Sequence, residues 1–279
     1  MTSAHNLKNR FDLSGRVAVI TGGGGFLGYQ HAAAIAELGG TPVLLDINMD
    51  GLTRNRDVLV DEIGAKSEII SADITNLESL EIAWTTIQSL YGKIDILINN
   101  AARNPKVEKA DAQDFSRLEC FPWEHWQMDL DVGLGGAFNC VKVFGSQMAK
   151  RGQGIIINVA SDLGVIAPDQ RIYRVDGRES DQQPVKPVTY SVVKHGLIGL
   201  TKYLATYWCE QGVRCNSLSP GGVYAGQDDV FVGKLTQLIP LGRMAREDEY
   251  RGAVAFLCSD ASSYMNGANL VVDGGRTAW

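Results

Sequence analysis

The chain has 279 residues, of which 45% are hydrophobic and 21% charged, and its formal net charge is −6. That composition is ordinary for a folded globular protein, and the length suits one large α/β domain, 1–279, with a substantial core. The acidic balance excludes broad nucleic-acid binding, the polar stretch 1–13 lacks the apolar centre of a signal peptide, and no apolar run nears the roughly 20 residues needed to cross a bilayer. The expected protein is cytoplasmic, acts on a small molecule, and has neither nucleic-acid nor membrane partners. Five cysteines are scattered without paired metal-ligand spacing, so reduced core thiols are expected and no metal.

In chain order, short apolar runs at 17–20, 43–45, 69–70, 94–98, 155–159, 213–218 and 270–272 read as strands. Helical spacing covers 26–38, 77–91, 123–150, 189–210 and 247–257. Strands made of consecutive apolar residues are those buried on both faces, as in parallel sheets. Alternation of strand and helix then predicts a doubly wound parallel sheet of about seven strands with helices on both faces. Two stretches interrupt the alternation, 103–122 and 165–188. Both are expected at the carboxyl ends of strands, where open α/β sheets bind ligands.

The first strand runs into Thr21-Gly22-Gly23-Gly24-Gly25-Phe26-Leu27-Gly28 and then a helix. Gly22 suits the tight turn, Gly25 a close backbone approach to a pyrophosphate, and Gly28 tight helix packing. The helix N-terminus offers free N–H groups to phosphates. The bulky Phe26 ring is expected to point into packing. Asp46 ends the second apolar run, placed to accept hydrogen bonds from ribose hydroxyls and to repel a 2′-phosphate. NAD is therefore favoured over NADP as the cofactor. Asp73 and Ile74, after the third strand, are placed to face the adenine, although Asp73 equally suits a helix-capping turn.

Tyr190 and Lys194 lie four residues apart on one helix face. An ammonium near a phenol favours the phenolate and lowers its pKa, so this pair is expected to move a proton near neutral pH.

Together these residues resemble the short-chain dehydrogenase/reductase family in its compact single-domain form. The resemblance rests on the glycine turn, on Asn99-Asn100-Ala101-Ala102 after the fourth strand, and on Asn158-Val159-Ala160-Ser161. It rests also on Tyr190-x-x-x-Lys194, on Pro220-Gly221, and on Val272-Asp273-Gly274-Gly275. It implies hydride transfer between nicotinamide and an alcohol or carbonyl carbon. Tyr190 would be the general acid/base, Ser161 the group that holds the substrate oxygen, and Lys194 a ligand of the nicotinamide ribose. Asn100, Ala101, Ala102, Pro220, Gly221 and Val223 would contact the cofactor. It also implies a homodimer or homotetramer built on the long helices and the terminal segment. A weaker resemblance points to members from surface-sugar biosynthesis.

The chain departs from the family pattern in several places. The middle glycine of the turn is Phe26. Gly133 stands where an asparagine helps relay protons, and no threonine follows Pro220-Gly221. The 29 residues from Ser161 to Tyr190 exceed the family's usual spacing. Tyr173 lies nearer the usual distance, but Gly177 occupies its lysine position, so Tyr190 is the better candidate. The added segment carries Arg171, Arg174 and Arg178, which suit a polar or anionic substrate such as a sugar or sugar phosphate. Alternatively these arginines pair with Asp169, Asp176, Glu179 and Asp181 in a solvated loop. Two other functions fit the sequence: reduction of a 3-oxoacyl thioester or other apolar ketone, and a non-catalytic NAD-binding partner or sensor favoured by Gly133.

Overall fold

The consecutive apolar residues do become doubly covered strands. In the computed structural model, which describes residues 6–103 and 116–279, seven parallel strands form one sheet. They are β1 (Val17–Thr21), β2 (Thr41–Asp46), β3 (Glu68–Ser71), β4 (Ile96–Asn99), β5 (Gly154–Val159), β6 (Val213–Pro220) and β7 (Asn269–Val272). Their order across the sheet is β3-β2-β1-β4-β5-β6-β7. β1, β4 and β5 are buried at every position, as central strands with helices on both faces must be. The order reverses between β1 and β4, and the crevice at such a switch point is where open sheets bind ligands.

Helices α1 (Phe26–Glu37), α2 (Met49–Ile63) and α7 (Arg251–Cys258) cover one face. Helices α3 (Leu77–Tyr91), α4 (123–151) and α5 (Val188–Tyr207) cover the other. A short α6 (Asp229–Thr236) lies between β6 and α7 in the chain. Two apolar clusters result, one on each side of the sheet. The first gathers Ala32, Ala33, Ile35, Ile20 and Ile98; the second gathers Leu80, Ile87, Phe144, Leu97 and Ile156.

Helix α2 was not legible from periodicity. Among its apolar residues only Leu52 and Leu59 are fully buried, while Val60 is half exposed. Its ends are set by local chemistry instead: the Asn48 side chain accepts from the Gly51 amide, and Gly64 closes the helix at φ +68°. Helix α7 starts later than its spacing suggests. Residues before it are held in a turn by Glu249, whose carboxylate takes paired bonds from Arg243 at 2.6 and 2.7 Å. Helix α4 is continuous but contains two π-helical turns, Asp131–Gly135 and Val141–Gly145. The first carries Gly133. Insertions of this kind recur beside functional sites.

Segment 165–188 follows β5, at the carboxyl edge of the sheet as expected. Of the other interrupting stretch, residues 104–115 lie outside those described.

Candidate active site

Strand β1 turns sharply into α1 at Gly22, whose φ of +66° excludes most side chains. The turn is tight. A Cβ at Gly28 would lie 2.2 Å from the Gly22 carbonyl oxygen. Gly25 precedes α1 with no side chain capping the helix, so the N–H groups at its start remain available to an anion. Asn100 braces this turn from β4: its backbone N–H donates to Thr21 Oγ1 at 3.0 Å and its amide to the Thr21 carbonyl at 2.9 Å. Ala101 N–H donates to the same threonine hydroxyl at 3.1 Å. The uncapped helix, the positive-φ glycine and the closeness of Gly28 fit a dinucleotide pyrophosphate.

Asp46 reaches this corner from the end of β2. Its Oδ2 accepts from the Gly24 amide at 3.0 Å and its Oδ1 from the Asn48 amide at 3.0 Å. A basic group that the sequence order hid stands close by: Arg54 of α2 donates to the Gly24 carbonyl at 3.2 Å. Asp73 makes a tight turn, its Oδ1 accepting from the Thr75 amide and hydroxyl. Ile74 is buried against Gly136 of α4. Phe26 corrects an expectation. The residue is 44% exposed and lines the cleft instead of entering the core.

A cleft of about 450 Å³ opens at the carboxyl ends of β5 and β6. Its walls include Phe26, Leu27, Asn100, Ala102, Pro220, Gly221 and Val223 together with Ser161, Tyr190 and Lys194. Residues predicted from distant parts of the chain therefore meet in one place. Ser161 ends the run from β5 and starts a short turn, its hydroxyl accepting from the Leu163 amide at 3.2 Å and donating to Asp162 Oδ1 at 2.7 Å. Lys194 is buried, and its ammonium donates to the Val159 carbonyl at 2.8 Å.

A buried polar chain fixes the strand against the helix. Asn99 donates to Asn158 at 2.9 Å, and Asn158 donates to the Thr201 hydroxyl at 2.8 Å. That chain registers β4, β5 and α5 against one another, and so sets Ser161 opposite Tyr190.

The electrostatics differ from the expectation drawn from Tyr190 and Lys194 alone. The Lys194 ammonium sits 5.8 Å from the centre of the Tyr190 ring. Burial pushes the phenol above its ordinary pKa, and the Ser161 hydroxyl and Arg276 charge only partly oppose it. Desolvation is the largest cause, and the Asp162 charge adds to it. Burial also pushes the Lys194 amine down to about 8, helped by the nearby charge of Lys186.

At Gly133 a side chain has no room, since a Cβ there would meet Val193 Cγ1 at 2.4 Å. Val193 of α5 fills the volume that a larger residue would take. Beside it, Asp129 of α4 accepts from Thr189 at 2.6 Å and from Arg103 at 3.0 Å.

The inserted segment folds into two short turns tied by Gln183, whose side chain bonds the Val175 amide and the Val175 and Arg178 carbonyls. Arg171 points outward and pairs with Asp169 at 2.6 Å, as in the solvated-loop alternative. The insertion presents Ile172, Tyr173 and Lys186 to the cleft, and none of its three arginines lines it. Tyr173 packs against Phe231 of α6. Asp162, Lys186 and Arg276 also line the cleft, though motif reading gave no sign of them. Asp162, beside Ser161, and Arg276, which follows the Val272–Gly275 motif, had positions that could have drawn attention.

The sequence matches the short chain dehydrogenase family model over residues 16–229. It is 33% identical to a D-threitol dehydrogenase of Mycolicibacterium smegmatis, covering 99% of each chain. It is 32% identical to an NAD-dependent glycerol dehydrogenase of Listeria innocua, covering 96% of each. The fold superposes with a TM-score of 0.84 on a gluconate 5-dehydrogenase of Burkholderia cenocepacia, crystallised with NADP and tartrate, at 30% identity over 98% of this chain and 100% of that one. With the sheet order, the glycine turn and the Ser161–Tyr190–Lys194 cleft, these matches establish that the chain belongs to the short-chain dehydrogenase family and is an oxidoreductase enzyme.

Proposed function

We propose that the enzyme oxidises a secondary alcohol of a polyol or sugar-like substrate with NAD, or runs the reverse ketone reduction. The observation that carries this reading is the convergence of Ser161, Tyr190 and Lys194 on one cleft with Asn100, Leu27 and Gly221. Bound NAD supplies a carbon that accepts hydride, and the protein supplies orientation and a proton acceptor. Tyr190 takes the proton from the substrate hydroxyl, or returns it in reduction. Ser161 holds the substrate oxygen: its hydroxyl hydrogen, which rotates between Asp162 and the cleft, donates to the ketone or alkoxide oxygen, and its oxygen accepts from the alcohol. Lys194 is fixed by Val159 beneath Tyr190 and keeps positive charge near the developing phenolate.

Asp46 supports NAD over NADP, because a carboxylate at the end of β2 beside the glycine turn would repel a 2′-phosphate. Relatives that act on threitol and glycerol support a polyol class. The apolar-ketone alternative loses support from the charged groups Asp162, Lys186 and Arg276 in the cleft wall.

The test is steady-state turnover of polyols by the wild type and Tyr190→Phe, with NAD and NADP in parallel. Wild type turns over faster by kcat/KM with NAD. Tyr190→Phe loses more than about a hundredfold in kcat, the usual worth of a positioned proton-transfer group, while NADH still binds by fluorescence. Retained kcat in the phenylalanine variant removes Tyr190 from the chemistry, and a preference for NADP removes the role given to Asp46.

A further inference from the structure

The C-terminal turn reaches back into the active-site cleft. After β7, the Asp273 carboxylate accepts from the Gly275 amide at 2.9 Å and from the Thr277 amide at 2.7 Å, which folds the chain over on itself. Gly274 and Gly275 make that turn at φ +67° and +90°. Both pack closely: a Cβ at Gly274 would lie 2.7 Å from Ile239, and one at Gly275 2.9 Å from Pro240. The turn therefore has little freedom, and it sends the next side chain, Arg276, into the cleft wall.

There Arg276 meets Asp162 at 2.8 Å, with the two side chains only 7% and 5% exposed. Asp162 follows Ser161 in the chain, and both of its oxygens are engaged. Oδ2 accepts from Arg276, while Oδ1 accepts from the Ser161 hydroxyl at 2.7 Å and the Leu163 amide at 2.8 Å. The Leu163 amide also reaches the Ser161 oxygen at 3.2 Å. Ser161, Asp162 and Leu163 thus form one hydrogen-bonded knot, and the arginine ties it down from a distant part of the chain.

A buried ion pair is a poor source of net stability, because desolvating both charges costs about as much as their attraction returns. What this pair supplies is direction. Without its arginine, the carboxylate is free to turn into the cleft, and the serine hydroxyl bonded to it loses its fixed neighbour. With the arginine in place, Asp162 is a resting acceptor for the hydroxyl hydrogen until a substrate oxygen takes it. The phenol feels the pair as well, since the Asp162 charge raises the pKa of Tyr190 and the Arg276 charge lowers it.

We propose that Asp162 and Arg276 are positioning residues for the reaction, holding the Ser161 hydroxyl in place and making the C-terminal turn part of the active site. The assignment rests on the oxidoreductase reading above and adds to that site two residues outside the Ser161–Tyr190–Lys194 set.

The test is steady-state oxidation of threitol, glycerol and mannitol with NAD by variants at 276 and 162. Arg276→Met loses about ten- to a hundredfold in kcat, the cost of a reacting group displaced by about 1 Å, while KM for NAD is unchanged. Arg276→Lys restores most of the loss, because an ammonium can donate to the same carboxylate oxygen. Made on a Ser161→Ala background, Arg276→Met costs little more, since residues that act as a unit do not add. The pH profile is a second readout. In Arg276→Met the rise of kcat/KM for oxidation moves to higher pH, because the phenol has lost a cation that lowers its pKa. Arg276→Met strands a buried carboxylate and can fail to fold, so Asp162→Asn combined with Arg276→Met, which removes both charges together, carries the same kcat prediction. Wild-type kcat in the folded variants overturns the assignment and leaves the oxidoreductase reading standing. An undiminished loss on the Ser161→Ala background also overturns it, because the pair then acts other than through the serine. If wild type oxidises no polyol with either cofactor, the oxidoreductase reading fails and the positioning roles fail with it.

Discussion

Lys194 shows how one residue carries two opposing demands. Its ammonium must stay near the phenol to favour proton transfer, yet its burial lowers its basicity to about 8 against an ordinary 10.5. Between those values the folded state binds fewer protons at this site than the unfolded chain, so the lysine's contribution to stability rises with pH through that window. Wild type should therefore gain thermal stability relative to Lys194→Met as pH rises from 7 to 10, measured on the protein without cofactor. A difference that shrinks or stays flat over that range would show that Lys194 is not desolvated as described. The functional types at this scale were readable in the sequence, since a serine, a tyrosine and a lysine in a familiar order announce themselves. Their electrostatics were not, because the pKa of a phenol depends on what surrounds it, and burial is the largest influence on Tyr190.

At the scale of elements, the contact between α4 and α5 decides what replaces the asparagine absent at 133. Gly133 lets Val193 close against the π-helical turn, so glycine and valine act as a complementary pair. Gly133→Asn alone should destabilise the protein by about 1–3 kcal/mol through overpacking, and Val193→Ala combined with it should recover much of that loss in chemical denaturation. Additive effects of the two changes would refute the pairing. The helices themselves were mostly visible as apolar periodicity. Helix α2 was not, because its charged outer surface dilutes the signal that Leu52 and Leu59 supply. The role of the inserted segment was visible only as an interruption. Its arginines drew attention by type, yet Arg171 faces Asp169, and Lys186 is the cation that lines the cleft.

For the whole molecule, the family's habit of assembling through its long helices meets a suitable surface. Phe138 of α4 and Tyr203 and Tyr207 of α5 are each more than half exposed, the two tyrosines stacked at 5.4 Å, and Tyr264 is fully exposed. We propose that these exposed rings are where copies of the chain meet. Light scattering should give a dimer or tetramer, and Phe138→Glu with Tyr203→Glu should lower the mass toward a single chain. A monomeric wild type would leave those rings without a partner.

The sequence by itself determined the doubly wound sheet and the strand–turn–helix that receives a dinucleotide, which follow from local patterns: apolar runs and glycines at a turn. It also singled out Ser161, Tyr190 and Lys194, through their resemblance to the family's motifs. Only the tertiary structure decided that Arg276 reaches Asp162, 114 residues away in the chain, and that Lys186 and Val193 stand beside Tyr190 and Gly133. Those meetings depend on how the edge of the sheet and the inserted segment close over the cleft. No local pattern encodes them, because each residue's environment is supplied by strands and helices far from it in sequence.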